Sequence, residues 1–376
     1  MILETLTQYV SSAILKHLPG AVSIIIHGSV ARNEGSLYSN REYDILLGNI
    51  GFTIITDSPT KDRLLLPFLL RFLRNIDTSD LRRMIDKPLI LLKPFEISLI
   101  SHQRLLQGDI PPDIWVYEMV NAGKIVYGEN LLSLFKTHFD KYAGLKIIVN
   151  RLFGLNLCIP LILRSDFNSK INLIAVNYES VKGILAALEA LLVLQDKYYP
   201  SYYERGKLID VAVRKFADFF SNPQDTIETF KLATKLELDT MDIDEISPTI
   251  IWFQSRSILK CVLSIYSSNN INLERVYRDR TTSKIPYHIK EALRFLLNNR
   301  FDPRIFTIYN LDRIATNLMY SCVFSMKQTP LVESSKYKSL ICLSRYANFL
   351  HTRGQWQDIT DNIIIIHPRA RIGVTI

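Results

Sequence analysis

The sequence predicts an α+β protein, with a mixed sheet and its helices in residues 1–140 and an all-helical second half over 141–376. Three observations predict it. Short runs rich in β-branched residues alternate with helical stretches through the first part of the chain. After that, apolar residues recur at helical spacing and strand signals become few. The 376 residues are 48% hydrophobic and 22% charged, enough for one large core or two medium ones. Neither an internal repeat nor a low-complexity linker marks the boundary, which falls near 140–150.

The elements follow in order. A first helix over about 2–18 stops at Pro19-Gly20, a strong breaker pair. AVSIIIHG at 21–28 reads as a short buried strand, and Gly28-Ser29 ends it before a helical turn around 29–34. EYDILLG at 42–48 is the second strand, and GFTIIT at 51–56 extends it or pairs with it. A helix over 60–76 carries Pro67, which should kink it or mark its true start. PLILLK and FEISLIS, split by Pro94, give strands near 89–92 and 95–101. A helix around 113–122 leads to the strand KIVYG. In the second half, Ile174, Tyr178, Val181, Leu185, Leu188 and Leu192 line one face of a helix over 170–196. Further helices are expected near 204–221, 224–236, 247–267, 286–298 and 303–326, forming a bundle.

Composition narrows the class. The net charge of +8 raises the local concentration of anionic partners such as nucleoside triphosphates, RNA, DNA or an anionic membrane. No dense Lys/Arg block marks a nucleic-acid tail. Cys158, Cys261, Cys322 and Cys342 lie far apart with no CxxC pair, which argues against zinc and a disulfide scaffold. The N-terminal segment reads as an amphipathic helix rather than a signal peptide. The longest apolar runs, at 157–163 and 363–366, fall short of the roughly 20 residues a membrane span needs. A soluble, cytoplasmic protein is expected.

The chemistry-bearing segment is IIIHGSVARNEGSLYSNREYDILLG. A buried strand delivers Gly28-Ser29 to the first turn of a helix. Gly28 allows close backbone approach, free N–H groups attract anions and Ser29 adds a hydroxyl, which together make a seat for phosphate. Glu42 and Asp44 then occur one residue apart on a strand, so alternation puts both on one face. Glu96 stands between Phe95 and Ile97 on a later strand, where a bare carboxylate is costly unless paired or metal-bound. If the two strands are neighbours, the three carboxylates converge. They would hold two magnesium ions that bridge nucleotide phosphates and activate an acceptor hydroxyl, with Glu96 binding the catalytic ion beside the acceptor and able to act as general base.

This segment resembles the signature of the DNA polymerase β-like nucleotidyltransferases. The resemblance rests on a hydrophobic strand, Gly28-Ser29, a gap, the pair Glu42 and Asp44, and a third acid at Glu96. The run from Gly28 to Ser36 is similar to the Gly-Ser-x-Ala-Arg-Gly-Glu form of the small bacterial and archaeal members. GKIVYG at 123–128 resembles the strand that closes their catalytic sheet. The likeness covers about residues 15–130, and the helix around 176–205 looks less specifically like the family's helical partner domain. It implies a polymerase β-like catalytic domain over 1–140, closed by the helical part. Glu42 and Glu96 stand where Asp is usual, and Asn33 where many relatives have Gly.

Other residues have two readings each. Arg32 either binds a triphosphate or braces the loop against an acid such as Glu34. Lys182, off the apolar stripe between Glu179 and Glu189, either reaches nucleotide phosphates or pairs with Glu179 on the surface. His27, directly before the Gly-Ser pair, is expected to pack in the sheet, with a catalytic role as the lesser reading, and His102 is ambiguous. Tyr198, Tyr199, Tyr202 and Tyr203, with Arg205, read as a packed helix junction or as a base-stacking surface.

The favoured function is transfer of a nucleoside monophosphate from a nucleoside triphosphate to an acceptor hydroxyl, with release of pyrophosphate. By analogy with aminoglycoside nucleotidyltransferases, the acceptor is a small molecule. A second reading has a toxin-like enzyme modifying RNA or protein. A third has a nucleotide-binding or scaffold protein without turnover.

Overall fold

A computed structural model describes residues 2–34, 37–48, 50–74, 87–91, 95–164, 169–240, 242–271, 364–366 and 374–375. The expected helices at 286–298 and 303–326 lie outside the described residues.

The N-terminal half contains two small sheets. Helix α1 (Ile2–His17) buries Leu6, Val10, Ala13 and Ile14, which recur at helical spacing along one face. It ends before Pro19-Gly20, and strand β1 (Ala21–His27) follows. Strands β2 (Leu37–Ser39), β3 (Asp44–Leu46) and β4 (Gly51–Thr56) come next, then helix α2 (Pro59–Arg74). After β5 (Leu89–Leu91) and β6 (Glu96–Ser101) come two helices, α3 (His102–Leu106) and α4 (Ile114–Ala122). Strand β7 (Lys124–Gly128) closes this part.

The first sheet has the order β6-β4-β1-β7, with β1 antiparallel to β4 and β7, and β4 parallel to β6. Both of its faces are covered, which explains the unbroken isoleucine run in β1: successive side chains point to opposite sides and both sides are core. Ile24 and Ile26 join Phe52 and Ile54 beneath α1 and α2. Ile25 joins Ile55 and Ile100 beneath Leu105 of α3 and Val116 and Met119 of α4. Pro67 lies inside α2 and does not start it. The bond its ring removes is offset by burial of Leu69 and Leu73 against the sheet.

The second sheet has the order β2-β3-β5-β8-β9, where β8 is Ile364–Ile366 and β9 is Val374–Thr375. The sequence expectation of an all-helical 141–376 is therefore corrected, because two strands near the C-terminus extend the sheet through β5. The expected relation between EYDILLG and GFTIIT is corrected as well. They neither form one strand nor pair, and β3 and β4 belong to different sheets.

The helical part comprises α5 (Tyr142–Arg164), α6 (Lys170–Leu194), α7 (Tyr202–Lys207), α8 (Ile209–Arg214), α9 (Pro223–Leu238) and α10 (Pro248–Ser268). The sequence reading assigned no helix to α5. It expected one helix over 204–221, but the chain leaves helical geometry at Leu208 (φ −100°, ψ 1°) and re-aims as α8. Helix α6 runs through the middle of the bundle, packed by α5, α9 and α10. The one-face expectation for it is corrected: Val176, Ile184, Ala187 and Leu191 are buried along with the predicted stripe. By length and composition α6 is the one described helix apolar enough to cross a membrane. Its most apolar window is 83% buried inside the protein, as a core helix requires.

Candidate functional site

The turn after β1 is the natural starting point. Gly28 adopts φ +85°, a backbone region that side chains disfavour, and a Cβ built there would meet nothing within 4 Å. Among the described residues, the turn therefore borders open space. Ser29, largely buried beside it, anchors the following residues: the amides of Arg32 and Glu34 donate to its carbonyl at 3.1 and 3.0 Å. Asn33 closes the loop with φ 57°, which Asn tolerates better than most residues. The expected helix N-terminus does not form, since the segment is one hydrogen-bonded turn with no regular helix behind it.

Glu96 reaches the same end of the first sheet. His27 on β1 pairs with Gly51 on β4, and Gly51 pairs with Glu96 on β6, so the three occupy one row and one face. The His27 ring lies over Gly51, where an added Cβ would stand 2.5 Å from the ring's Cε1. The glycine creates the notch that receives the imidazole. Trp115 of α4 flanks the ring at 6.2 Å between centroids. Burial pushes the imidazole pKa below 6.5, although Glu96 and Glu118 pull it up; Arg32 adds to the lowering.

Glu42 and Asp44 sit elsewhere. Strand β3 begins at Asp44, so Glu42 lies in the hairpin loop before it and the expected shared face is lost. That loop is an Asx turn, with the amides of Glu42 and Tyr43 both donating at 2.8 Å to Asn40 Oδ1. Glu42 is exposed. Asp44 is 5% exposed and accepts the Ser39 hydroxyl at 2.5 Å, while Lys87 Nζ stands 3.4 Å from that hydroxyl. The second sheet holds both β2 and β3, and Glu96 belongs to the first. Among the described residues, no three His, Cys, Asp or Glu side chains group closely enough to hold a metal ion. The three carboxylates thus do not fit the two-magnesium arrangement that the sequence led us to expect.

The two basic candidates are engaged in ion pairs. Arg32 Nε lies 2.6 Å from Glu34 Oε2, with Nη1 3.7 Å from Glu118. Its guanidinium also lies over the Tyr202 ring, 5.4 Å from the centroid. Of the two readings for Arg32, this is the brace. The expectations for Lys182, a surface pair with Glu179 or a reach to phosphates, are both corrected. Its ammonium is buried, 2.6 Å from Glu237 and 2.8 Å from the Tyr202 hydroxyl. Because α6 is surrounded on all sides, its polar positions face neighbouring helices rather than solvent. Burial disfavours the charge on Lys182, but Glu237 and the facing tyrosines Tyr178 and Tyr202 hold its pKa well above the usual value.

Sequence reasoning missed how Glu34, Glu118 and Arg205 connect the two halves. Glu34 accepts from the Ser201 hydroxyl and, at 3.1 Å, from the Tyr202 amide. Arg205 is 1% exposed, pairs with Glu189, and reaches Glu118 at 3.5 Å. Its guanidinium packs over Tyr202 and Tyr198 at 4.1 and 5.0 Å. The tyrosine cluster is split, with Tyr198 and Tyr202 buried and Tyr199 and Tyr203 exposed. His102 contacts Asp57 at 2.8 Å. No local pattern signals the contacts of Glu34 with Ser201 and Tyr202, of Glu118 with Arg205 or of His102 with Asp57, because each joins residues distant in sequence.

No model of a known protein family matches the chain, and neither does any curated protein or solved structure.

Proposed function

We propose that the chain is a nucleotidyltransferase that moves a nucleoside monophosphate from a triphosphate to an acceptor hydroxyl, most simply on a small molecule in the cytoplasm. The observation that carries this reading is the left-handed Gly28 turn, opening on free space at the end of the sheet whose last row also holds Glu96. In this reading a phosphate sits against the outer side of the turn, met by backbone amides that do not already donate within it. Glu96 faces the side from which the acceptor approaches. The triphosphate enters as its magnesium complex, the usual form of this substrate. Because Glu42, Asp44 and Glu96 do not form a ligand set, no step is assigned to a protein-bound ion.

A second reading, nucleotide binding without turnover, is favoured by one observation: Asp44 is already engaged by Ser39 and lies in a different sheet from Glu96.

The test uses the full chain with each of four α-labelled triphosphates, magnesium and a lysate separated by size. Label entering the small-molecule fraction with pyrophosphate release is the expected result. Glu96→Gln should reduce the rate about 100-fold or more. Label in RNA or protein assigns those acceptors instead. Triphosphate binding with no transfer to any fraction selects the second reading.

A further inference from the structure

His27, next to the Gly28 turn, has no task in nucleotidyl transfer as proposed so far. Its Nε2 is shut off from water and has no hydrogen-bond partner among the described residues. Leaving a buried ring nitrogen unsatisfied costs stability, so such an atom in a native protein points to something absent that completes it. The residue immediately follows the isoleucine run of β1 and immediately precedes the open-sided Gly28. Gly51 makes room for the ring, so the imidazole leans across β4 toward Glu96 instead of lying along its own strand. The groups that face it are Glu96 from β6, Glu118 from α4 and Arg32 from the turn. The Trp115 ring stands 6.2 Å away between centroids.

We propose that His27 is the proton acceptor for the acceptor hydroxyl, a role that rests on the nucleotidyl-transfer reading. The neutral imidazole, with its proton on Nδ1, offers the Nε2 lone pair to the hydroxyl. As that oxygen forms its bond to the α-phosphorus, its proton passes to Nε2. The bond from the α-phosphorus to the bridging oxygen breaks, and pyrophosphate leaves with the electron pair. The imidazolium so formed is flanked by the carboxylates of Glu96 and Glu118, which favour it while the reaction lasts. Water exclusion and burial keep the resting imidazole unprotonated at neutral pH, the state a base requires. Glu96 is then a positioning residue for the proton-accepting ring.

The experiment measures kcat and KM of the full chain against pH, for the wild type and His27→Gln, on the acceptor fraction found above. Wild-type kcat should fall along an acid limb with its midpoint below pH 6.5, the ordinary value for histidine. His27→Gln should lower kcat about 100-fold or more, leave KM for the triphosphate unchanged and lack the limb. A variant that keeps wild-type kcat, or keeps the same limb, overturns the assignment while leaving nucleotidyl transfer standing. A wild type that transfers no label to any fraction overturns both. If His27→Gln does not fold, the wild type alone decides. The His27 imidazole followed by nitrogen-15 NMR must titrate at the pH of the acid limb, and a mismatch overturns the proposal.

Discussion

The backbone amide of Tyr202 donates to the Glu34 carboxylate at 3.1 Å, joining residues 168 apart in the chain. Glu34 also receives the Ser201 hydroxyl and pairs with Arg32, so one side chain caps helix α7 and holds the Gly28-Ser29 turn. The candidate site and the helical bundle are thereby joined by a half-buried carboxylate.

Glu34→Ala should cost about 3 kcal/mol in urea unfolding, because it removes a cap and leaves the buried Arg32 guanidinium short of its nearest acid. The pH dependence follows. Burial pushes the Glu34 carboxyl up, but the hydrogen bonds from Ser201 and Arg32, the charge of Arg32 and the Tyr202 amide outweigh it and hold it below 4.5. Its stabilisation is complete above pH 4.5 and is lost as pH falls through the lower folded value. The stability difference between wild type and Glu34→Gln should therefore shrink on acidification below that point.

Lys182 and Glu237 offer a cleaner case, with side chains 8% and 0% exposed. Removing one partner, as in Lys182→Met, should destabilise the chain by about 3–5 kcal/mol, since Glu237 is left as an uncompensated buried charge. The double change Lys182→Met with Glu237→Leu should recover most of that loss in a denaturation series. Triphosphate affinity, measured by calorimetry on the folded double variant, should match the wild type because the ammonium is committed within the bundle.

His27 sets a slope of opposite origin. Its folded pKa lies below 6.5, so the unfolded chain binds the proton first. The resulting penalty is absent above pH 6.5 and grows as pH falls toward the folded value. The urea midpoint of the wild type should decline more steeply below pH 6.5 than that of His27→Gln.

Two glycines separate backbone from packing. Gly28→Ala meets no atom within 4 Å but must hold φ +85°, at a cost of about 1–2 kcal/mol. Triphosphate affinity should fall sharply in that variant. Gly51→Ala places a methyl 2.5 Å from the His27 ring and must displace the imidazole. Transfer should then drop as in His27→Gln, with triphosphate affinity kept.

Much of this was legible in the sequence because it is local. Pro19-Gly20 ends a helix through backbone chemistry alone, and the isoleucines of β1 announce a strand buried on both faces. A glycine directly after such a strand marks a turn that only glycine forms easily, and Gly28 is found in that conformation. The length and apolar spacing of Lys170–Leu194 likewise sufficed to define a helix.

Tertiary packing decided the rest. Periodicity assigns a side chain to a face, but which neighbour that face meets depends on elements far away in the chain. Lys182 looks solvent-facing on its own helix and becomes buried because α9 brings Glu237 to it. Starting β3 at Asp44 leaves Glu42 in a loop, so two acids one residue apart occupy different environments. Sheet partition puts Asp44 and Glu96 in different sheets, and Glu96 shares its row with His27 across Gly51 instead. A chain determines its elements by short-range sterics and periodicity, whereas charges find their partners only when those elements close around a common core.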